Sequence, residues 1–507
     1  MKSKYRHLLR MLFPVPFILG VIGYRMAGFS FNDAFYGSFC FYFVSVYSKA
    51  YNPIMELARW TAPLVTVSWV IVSLKGVFAF MKTVHTSRRK DSIAIYCGGN
   101  KAEADLLSSK IPNSFVESIA PAAAPTLFSR SHTQIVFFDN DLLSLEFYNR
   151  NLKLLSKGRT HIVLRELEPS FLRQASASYF SLTKQTALDL WQKHPLISSS
   201  DPLKRSFKVA IIGDGNLSEQ ILSFGLMLNI YSEDQSIEYH TYGNWDIYRS
   251  LHGDMPLMNS DIIIHHDKSW QQSIEELVEM DRIIITEEGS IRILNVLLGV
   301  CRDSDIYYYS RSDENPAAFY QSERIFDFGT EAELLTADNI LYSHADSMAA
   351  ALYLISLDRN LHISSSLVES ATRSSEWQTL LGEVKREHQL RAYFYEHYTS
   401  LIASGIPLTS DPFEIAPLEH TRWCRSRFLA FWKFGNPGSA EAGCESTDVK
   451  SFSDGSERDD GKEIYGDSAA RIHKALVPFG ELDENAANEE LTQIIFMMHA
   501  FKNRKLK

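Results

Sequence analysis

Glu419, His420, Arg422 and Trp423 lie within the stretch Leu418–Trp423 and bring together a carboxylate, an imidazole, a guanidinium and an indole. In a helix, positions 419, 422 and 423 follow the i, i+3, i+4 rule and share one face. An acid, an arginine fork and a flat ring on one face can clasp a ligand that carries a charged group and a planar ring. The same residues also suit a buried Glu–Arg pair that pins two helices, with Trp423 in the core. At the level of sequence both readings stand.

Glycine turns after apolar runs offer a second chemistry. Phe207–Leu222 reads FKVAIIGDGNLSEQIL, with Gly213, Gly215 and Ser218 between a strand-like run and a helix start. Ser92–Ile111 repeats the arrangement around Gly98, Gly99 and Asn100. Backbone amides of such a turn, with the helix N-terminus behind them, can hold a phosphate. The acid that would take a ribose at the end of the second strand is missing at Thr241-Tyr242-Gly243, whereas Glu117 could serve in the first half. The expectation divides between a nucleotide or dinucleotide as regulatory ligand and degenerate domains that serve assembly and force transmission. No Tyr-x-x-x-Lys pair follows the glycine loop, so no catalytic set is expected. His265-His266-Asp267 contains metal-ligating types, but neighbouring strand residues point to opposite faces, which favours a polar strand end.

These groups need elements to position them. At 507 residues the chain exceeds what one core supports, and several domains are expected. Short apolar runs at Thr133–Phe138, His161–Leu164, Ile237–Tyr242, Asp261–His265, Arg282–Thr286 and Asp305–Tyr309 alternate with helix-patterned segments. That alternation predicts parallel sheets with helices on both faces, as two Rossmann-like α/β domains at 91–200 and 201–360. From about Ser365 the spacing turns helical, through Trp377, Leu380, Leu381, Val384 and His388, and predicts a mostly α-helical domain at 361–507. Its insert at 436–467 is rich in Ser, Gly and acidic residues and reads as a disordered loop. A net charge of −10 argues against a nucleic-acid partner. Cys40, Cys97, Cys301, Cys424 and Cys444 form no CxxC pair, which points to a reduced compartment without structural zinc.

Residues 1–90 differ from the rest. Apolar stretches at about 8–27 and 60–81 predict two transmembrane helices, and the aromatic segment at about 31–47, too short to span, predicts a re-entrant helix. Lys2, Lys4, Arg6 and Arg10 precede the first stretch, and Lys82, Arg88, Arg89 and Lys90 follow the second. Basic residues at both outer ends place both termini in the cytoplasm.

Three resemblances follow. The order of span, Phe31, Asp33, Ala34, Tyr36, Ser38, loop and span resembles the pore helix of two-transmembrane potassium channels, which implies Asp33, Tyr36, Ser38, Val44, Ser45 and Tyr47 as pore residues. The family's Thr-Val-Gly-Tyr-Gly filter is absent, and Val44-Ser45-Val46-Tyr47-Ser48-Lys49 stands near its place. Without glycines a ring of stacked carbonyls is hard to build, so potassium selectivity is not carried over. The segment HIVLRELEPSFLRQASASYFSLTKQTALDLW resembles the end of TrkA-N (RCK) domains. Leu418–Trp423 with Arg425, Arg427, Phe431–Gly435 and Arg471–Leu482, preceded by Trp377-Gln378-Thr379-Leu380, resembles the RyR domain, named from ryanodine receptors and also found in bacterial proteins. Ala430-Phe431-Trp432 stands where that family has Gly-Trp. The RyR resemblance implies a module that senses a nucleotide-derived small molecule, with Glu419, His420, Arg422, Trp423, Trp432 and His473 as its binding set.

Together the resemblances imply a ligand-gated ion channel of the bacterial RCK-like type and not an enzyme. It would be a homotetramer in the bacterial inner (cell) membrane, with lipid and a small-molecule ligand as partners. Such a device would suit a stress or anti-phage effector. The alternative is a membrane-anchored nucleotide sensor or scaffold without conduction. A membrane-bound NAD-dependent oxidoreductase is disfavoured by the missing ribose acid.

Overall fold

The structure is a computed structural model. It describes residues 13–45, 47–49, 52–167, 177–198, 201–287, 291–311, 319–320, 322–341, 344–358, 364–372, 374–380, 382–435, 466–467 and 471–502. The chain divides into two compact units, Met1–Ser92 and Ile93–Lys507.

In the first unit three helices follow in order: α1 (Pro14–Met26), α2 (Phe31–Cys40) and α3 (Pro53–Ser87). Ser30 caps α2, accepting from the Asp33 N–H at 3.2 Å and donating its hydroxyl to Asp33 Oδ2 at 2.6 Å. A 3₁₀ turn at Phe41–Phe43 continues α2, and Val44, at φ 55°, ends it in the left-handed region. The polar stretch Lys49–Arg59 does not separate a late span from its approach. Asn52 caps α3 through the Ile54 N–H at 2.9 Å, Pro53 takes the first helical position, and Arg59 pairs with Glu56 and donates to the Ser48 carbonyl. α3 therefore starts well before residue 60 and, at 35 residues, is about 52 Å long.

Close backbone approach holds these helices together. A Cβ on Gly23 would stand 3.0 Å from the Met55 backbone nitrogen, and one on Gly37 would stand 2.7 Å from the Tyr24 ring. Tyr24, Ala34, Phe41, Met55, Ala58 and Ala62 form the small core. The outer faces stay apolar: Ile18, Ile22 and Met26 on α1, and Leu57, Trp60, Leu64, Val67, Phe78 and Phe80 on α3, are exposed. Residues 8–12 of the expected first span, with the basic residues before them, lie outside the described residues.

The second unit holds two parallel sheets. The first is ordered β2-β1-β3-β4-β5, from β1 (Ile93–Cys97), β2 (Ser114–Ser118), β3 (Thr133–Val136), β4 (Arg159–Leu164) and β5 (Ala177–Ser181). Helices α4 (Lys101–Lys110), α5 (Asp141–Arg150) and α6 (Leu182–Lys193) accompany it. The second is ordered β11-β10-β9-β6-β7-β8, from β6 (Ser206–Ile212), β7 (Ser236–Tyr242), β8 (Ile262–His266), β9 (Arg282–Ile285), β10 (Asp305–Tyr309) and β11 (Ile325–Phe328). Counted within its own half, that is the doubly wound Rossmann order, and the first sheet follows the flavodoxin-like one. Strand β6 shows why the chain folds this way. Val209 and Ile211 enter one apolar core, Ala210 and Ile212 enter the other, and all four are fully buried. A strand covered on both faces reads as a continuous apolar run.

After β6 comes α7 (Asn216–Leu228), and α8 (Ile291–Val300), α9 (Glu331–Leu334) and α10 (His344–Leu357) follow in the second half. Among the described residues, one stretch, 337–357, has the length and hydropathy of a membrane span, and half of it is buried within the protein. Met348, Ala349, Ala350, Ala351 and Leu352 of α10 sit at the centre of the main apolar core. α1 is apolar but shorter.

Three helices dominate the C-terminal part: α11 (Gly382–Ala403), α12 (Pro412–Leu429) and α13 (Glu484–Lys502). The main core runs without a break from Trp191 of α6 through β6 and α7 to Phe394, Leu418 and Met497 of these helices. Two-residue strands β12 (Lys433–Phe434), β13 (Gly466–Asp467) and β14 (Ile472–His473) pair in the order β12-β14-β13, so the chain leaves and re-enters at one small sheet. Most of the 436–467 insert lies outside the described residues.

Candidate ligand-binding site

Asp411 starts α12 by accepting from the Phe413 N–H at 3.0 Å, with Pro412 at the first position. This fixes the phase of the helix and turns the Glu419–Trp423 stretch inward. Glu419 is 1 % exposed and Arg422 fully buried. Arg422 Nε donates to Glu419 Oε2 at 2.7 Å and its Nη2 to Glu387 Oε1 of α11 at 2.6 Å. Arg391 Nε donates to Glu419 Oε1 at 3.0 Å. Burial alone would raise the Glu387 carboxyl, but Arg422, Arg427 and Arg391 hold it well below the usual carboxylate range. Glu419 and Arg422 thus join α11 to α12 and present no free face to solvent. Arg422 Nη1 is buried without a hydrogen-bond partner among the described residues.

His420 has a different task. Its Nδ1 lies 2.7 Å from Glu490 Oε2 of α13, and its Nε2 lies 2.7 Å from the Val477 carbonyl oxygen. Both neighbours are acceptors, so both ring nitrogens must carry protons. Burial opposes that charge, but the Cys424 sulfur and the Glu490 carboxylate push the imidazole up to about 10. The ring ties α12 to the chain beyond the insert.

Trp423, Trp432 and His473 converge at the end of α12. Trp423 stacks on His420 with centroids 5.6 Å apart and meets His473 edge-on at 5.0 Å. Arg427, one helical turn after Trp423, sets its guanidinium 5.5 Å from the Trp423 ring centroid and 4.8 Å from that of Trp432. Burial, then Arg427, the charged His420 and Lys474, pull His473 down to about 4, so it is neutral near pH 7. Beside this group a small cleft, open to solvent, runs between α11 and α12. Arg386, Arg427, Arg471, Glu383, Glu387 and Trp432 line it. Of the six residues singled out in the sequence, Trp432 alone lines the cleft.

The sequence of this chain matches no protein-family model and no curated protein. The site must therefore be judged on its own geometry.

The two glycine turns differ, and the first is occupied from within. In the first, the Gly99 N–H donates to Asp139 Oδ2 at 2.8 Å, and a Cβ on Gly98 would stand 2.5 Å from that oxygen. A carboxylate sits where a phosphate would have to sit. Asn100 Nδ2 donates to the Phe137 carbonyl at 3.1 Å. Glu117 is taken by Thr126 and Leu127, whose backbone N–H groups donate to it at 2.9 and 3.1 Å. In the second turn, the Gly213 N–H donates to the Tyr242 carbonyl at 2.9 Å, and the Ser218 hydroxyl pairs with the Thr286 hydroxyl at 2.7 Å. Gly215, at φ 83°, faces open space. Asn216, at the start of α7, donates to the Glu166 carbonyl and to Thr183 of the first half. This helix start thus joins the two halves.

Arg165 strengthens that junction by pairing with Glu103 and with Glu331 at 2.8 Å, while Arg311 pairs with Glu331 at 2.6 Å and with Glu103 at 3.1 Å. Of the triplet at the end of β8, His265 bonds Thr241 at 2.7 Å, His266 lies between His240 and Glu276, and Asp267, just past the strand, pairs with Arg249. No metal-ligating cluster is present among the described residues.

In the first unit Asp33 Oδ1 accepts from the Tyr47 hydroxyl at 3.0 Å, and Tyr36 meets the Tyr47 ring edge-on at 5.5 Å. Ser38 is buried and donates to the Ala34 carbonyl at 2.6 Å. Val44 is exposed, and Ser45 donates its N–H to the Cys40 carbonyl at 3.1 Å. Asp33 and Tyr47 thus pin the chain after α2 back onto that helix.

Sequence reasoning missed Arg386, Glu387 and Arg391, which lie on α11, far from the motif they complete, and it quoted Arg471 within the motif without singling it out as a site residue. Arg427 carried a usable signal, since it follows Trp423 at i+4.

Proposed function

We propose that this chain is one subunit of a ligand-gated membrane channel, with residues 1–92 forming the pore wall and the C-terminal helices forming the sensor. The observation that carries this reading is the first unit. α1 packs against both the shorter α2 and the longer α3 through glycine contacts, and α1 and α3 carry large exposed apolar side chains, among them Ile18, Ile22, Trp60, Leu64 and Phe78. Contiguous apolar surface of that kind calls for a covering, and lipid supplies it for helices whose backbone bonds are satisfied internally. One such hairpin encloses nothing. Several copies around an axis, four by resemblance, would set the α2 helices about a path.

The segment after α2 supports a pore without a potassium filter. It opens with a 3₁₀ turn at Phe41–Phe43 and a left-handed valine at position 44, which is not how an extended row of stacked carbonyls begins. Only Arg88–Ser92 separate α3 from β1, so a change of state in the sheets has a short covalent route to the membrane. The ligand must bind the two states with different affinity to shift them.

Purified chain reconstituted in vesicles tests the reading. Ion flux that switches with a small-molecule extract, without preference for potassium over sodium, is the expected result. A folded oligomer that is silent under every condition would leave the membrane-anchored sensor or scaffold in its place.

A further inference from the structure

The cleft between α11 and α12 carries an unbalanced charge. In and behind it lie five guanidinium groups, of Arg386, Arg391, Arg422, Arg427 and Arg471, against three carboxylates, of Glu383, Glu387 and Glu419. Every carboxylate is committed. Glu419 serves Arg391 and Arg422, Glu387 serves Arg422 and the Ser426 hydroxyl, and Glu383 serves Arg471 at 3.1 Å. Two positive charges are left over. They fall on Arg386 and Arg427, neither of which has a carboxylate within ion-pair distance among the described residues. Arg427 Nε is moreover buried and without a hydrogen-bond partner there.

Such an arrangement is not a solvated basic surface. Arg427 is held against two indole rings, which fixes its plane, and Arg471 is anchored through Nη1 to the Ala430 carbonyl at 2.6 Å. Fixed guanidinium forks suit phosphate oxygens better than mobile ammonium groups do. A surplus of two charges in a partly enclosed cleft calls for a dianion, and a phosphate monoester carries close to two negative charges at neutral pH.

We propose that this cleft binds the terminal phosphate of a small phosphomonoester, held by Arg386, Arg427 and Arg471. The inference rests on reading the C-terminal helices as the sensor, and it moves the ligand's anionic group away from Glu419 and Arg422. Trp432 lines the same cleft and places an aromatic wall beside the phosphate.

Equilibrium binding to the full chain in detergent decides it, with inorganic phosphate, adenosine 5′-monophosphate and adenosine as probes. Phosphate and the monophosphate are expected to bind and to compete, with adenosine at least tenfold weaker than its monophosphate. Arg386→Gln, which breaks no ion pair, and Arg471→Gln are each expected to weaken monophosphate binding about tenfold, the loss of one charge-assisted contact. Lys208→Gln, in the second sheet, leaves binding unchanged. Adenosine binding as tightly as its monophosphate, no binding of either phosphate probe, or full binding in Arg386→Gln each overturns the proposal. Phosphate binding without any flux in vesicles removes the channel reading and leaves this site. Flux gated by a ligand indifferent to Arg386→Gln does the reverse.

Discussion

His420 and Glu490 meet at 2.7 Å across the 436–467 insert, joining α12 to α13 with an imidazolium and a carboxylate. His420 is 1 % exposed, and its second N–H is spent on the Val477 carbonyl. Removing the ring leaves Glu490 and that carbonyl without their donor. His420→Leu is expected to destabilise the fold by about 3–5 kcal/mol, as for other broken buried pairs, and chemical denaturation of the full chain measures it.

The same pair predicts a pH dependence. The imidazole rises from 6.5 to about 10 on folding, so its contribution is complete below pH 6.5 and declines as pH rises to 10. Thermal midpoints of the wild type should fall over that window by more than those of His420→Leu. Parallel curves would show that the ring is uncharged.

Arg425 is fully buried, donating to the carbonyls of Leu226 at 2.7 Å and Leu257 at 2.8 Å and to Asp261 Oδ2 at 2.8 Å. Arg425→Met leaves the buried Asp261 carboxylate without its cation, with the Ile237 N–H and the Gln235 amide as its remaining donors, and is expected to cost about 3–5 kcal/mol. Adding Asp261→Asn should recover part of that loss. A double-mutant cycle reads the coupling, and simple additivity would mean that the two residues act separately.

Gly213 and Gly215 separate two reasons for a glycine. Gly213, at φ 128°, would place a Cβ 2.1 Å from Thr286 Oγ1, whereas Gly215, at φ 83°, has nothing within 4 Å. Gly213→Ala is expected to cost about 2–4 kcal/mol through both clash and strain, and Gly215→Ala roughly 1–2 kcal/mol through strain alone. Equal losses in urea denaturation would contradict the contact at Thr286.

Val44 holds a β-branched side chain at φ 55° and ψ 28°. Val44→Gly removes that strain and is expected to stabilise the first unit by about 1 kcal/mol, raising its resistance to protease in detergent. A loss of stability would mean that the exposed valine makes contacts that outweigh its backbone.

What could be read in the sequence follows from how local each feature is. Strands such as FKVAII announce themselves because burial on both faces demands an unbroken apolar run, and both glycine turns follow from that placement. The helical phase of Glu419, Arg422 and Trp423 was equally legible. What the face meets was not, because Glu387 and Arg391 come from α11 and nothing in the spacing of α12 names them. The early start of α3 was obscured by Glu56 and Arg59, whose charges look like a break until they are seen to neutralise each other. Asp139 in the first glycine turn was hidden for a similar reason. It comes from the end of another strand, and only the parallel pairing of β1 with β3 brings it there.

Arg425 also has a consequence for how the chain is made. The carbonyls of Leu226 and Leu257 and the carboxylate of Asp261 belong to the second sheet and its connections, yet their donor is translated more than 160 residues later. A nascent chain that has emerged only through β11 carries a completed sheet with an open polar socket and no cation to fill it. That half therefore leaves the ribosome as an unfinished body, open to holding factors and proteases, until α12 arrives.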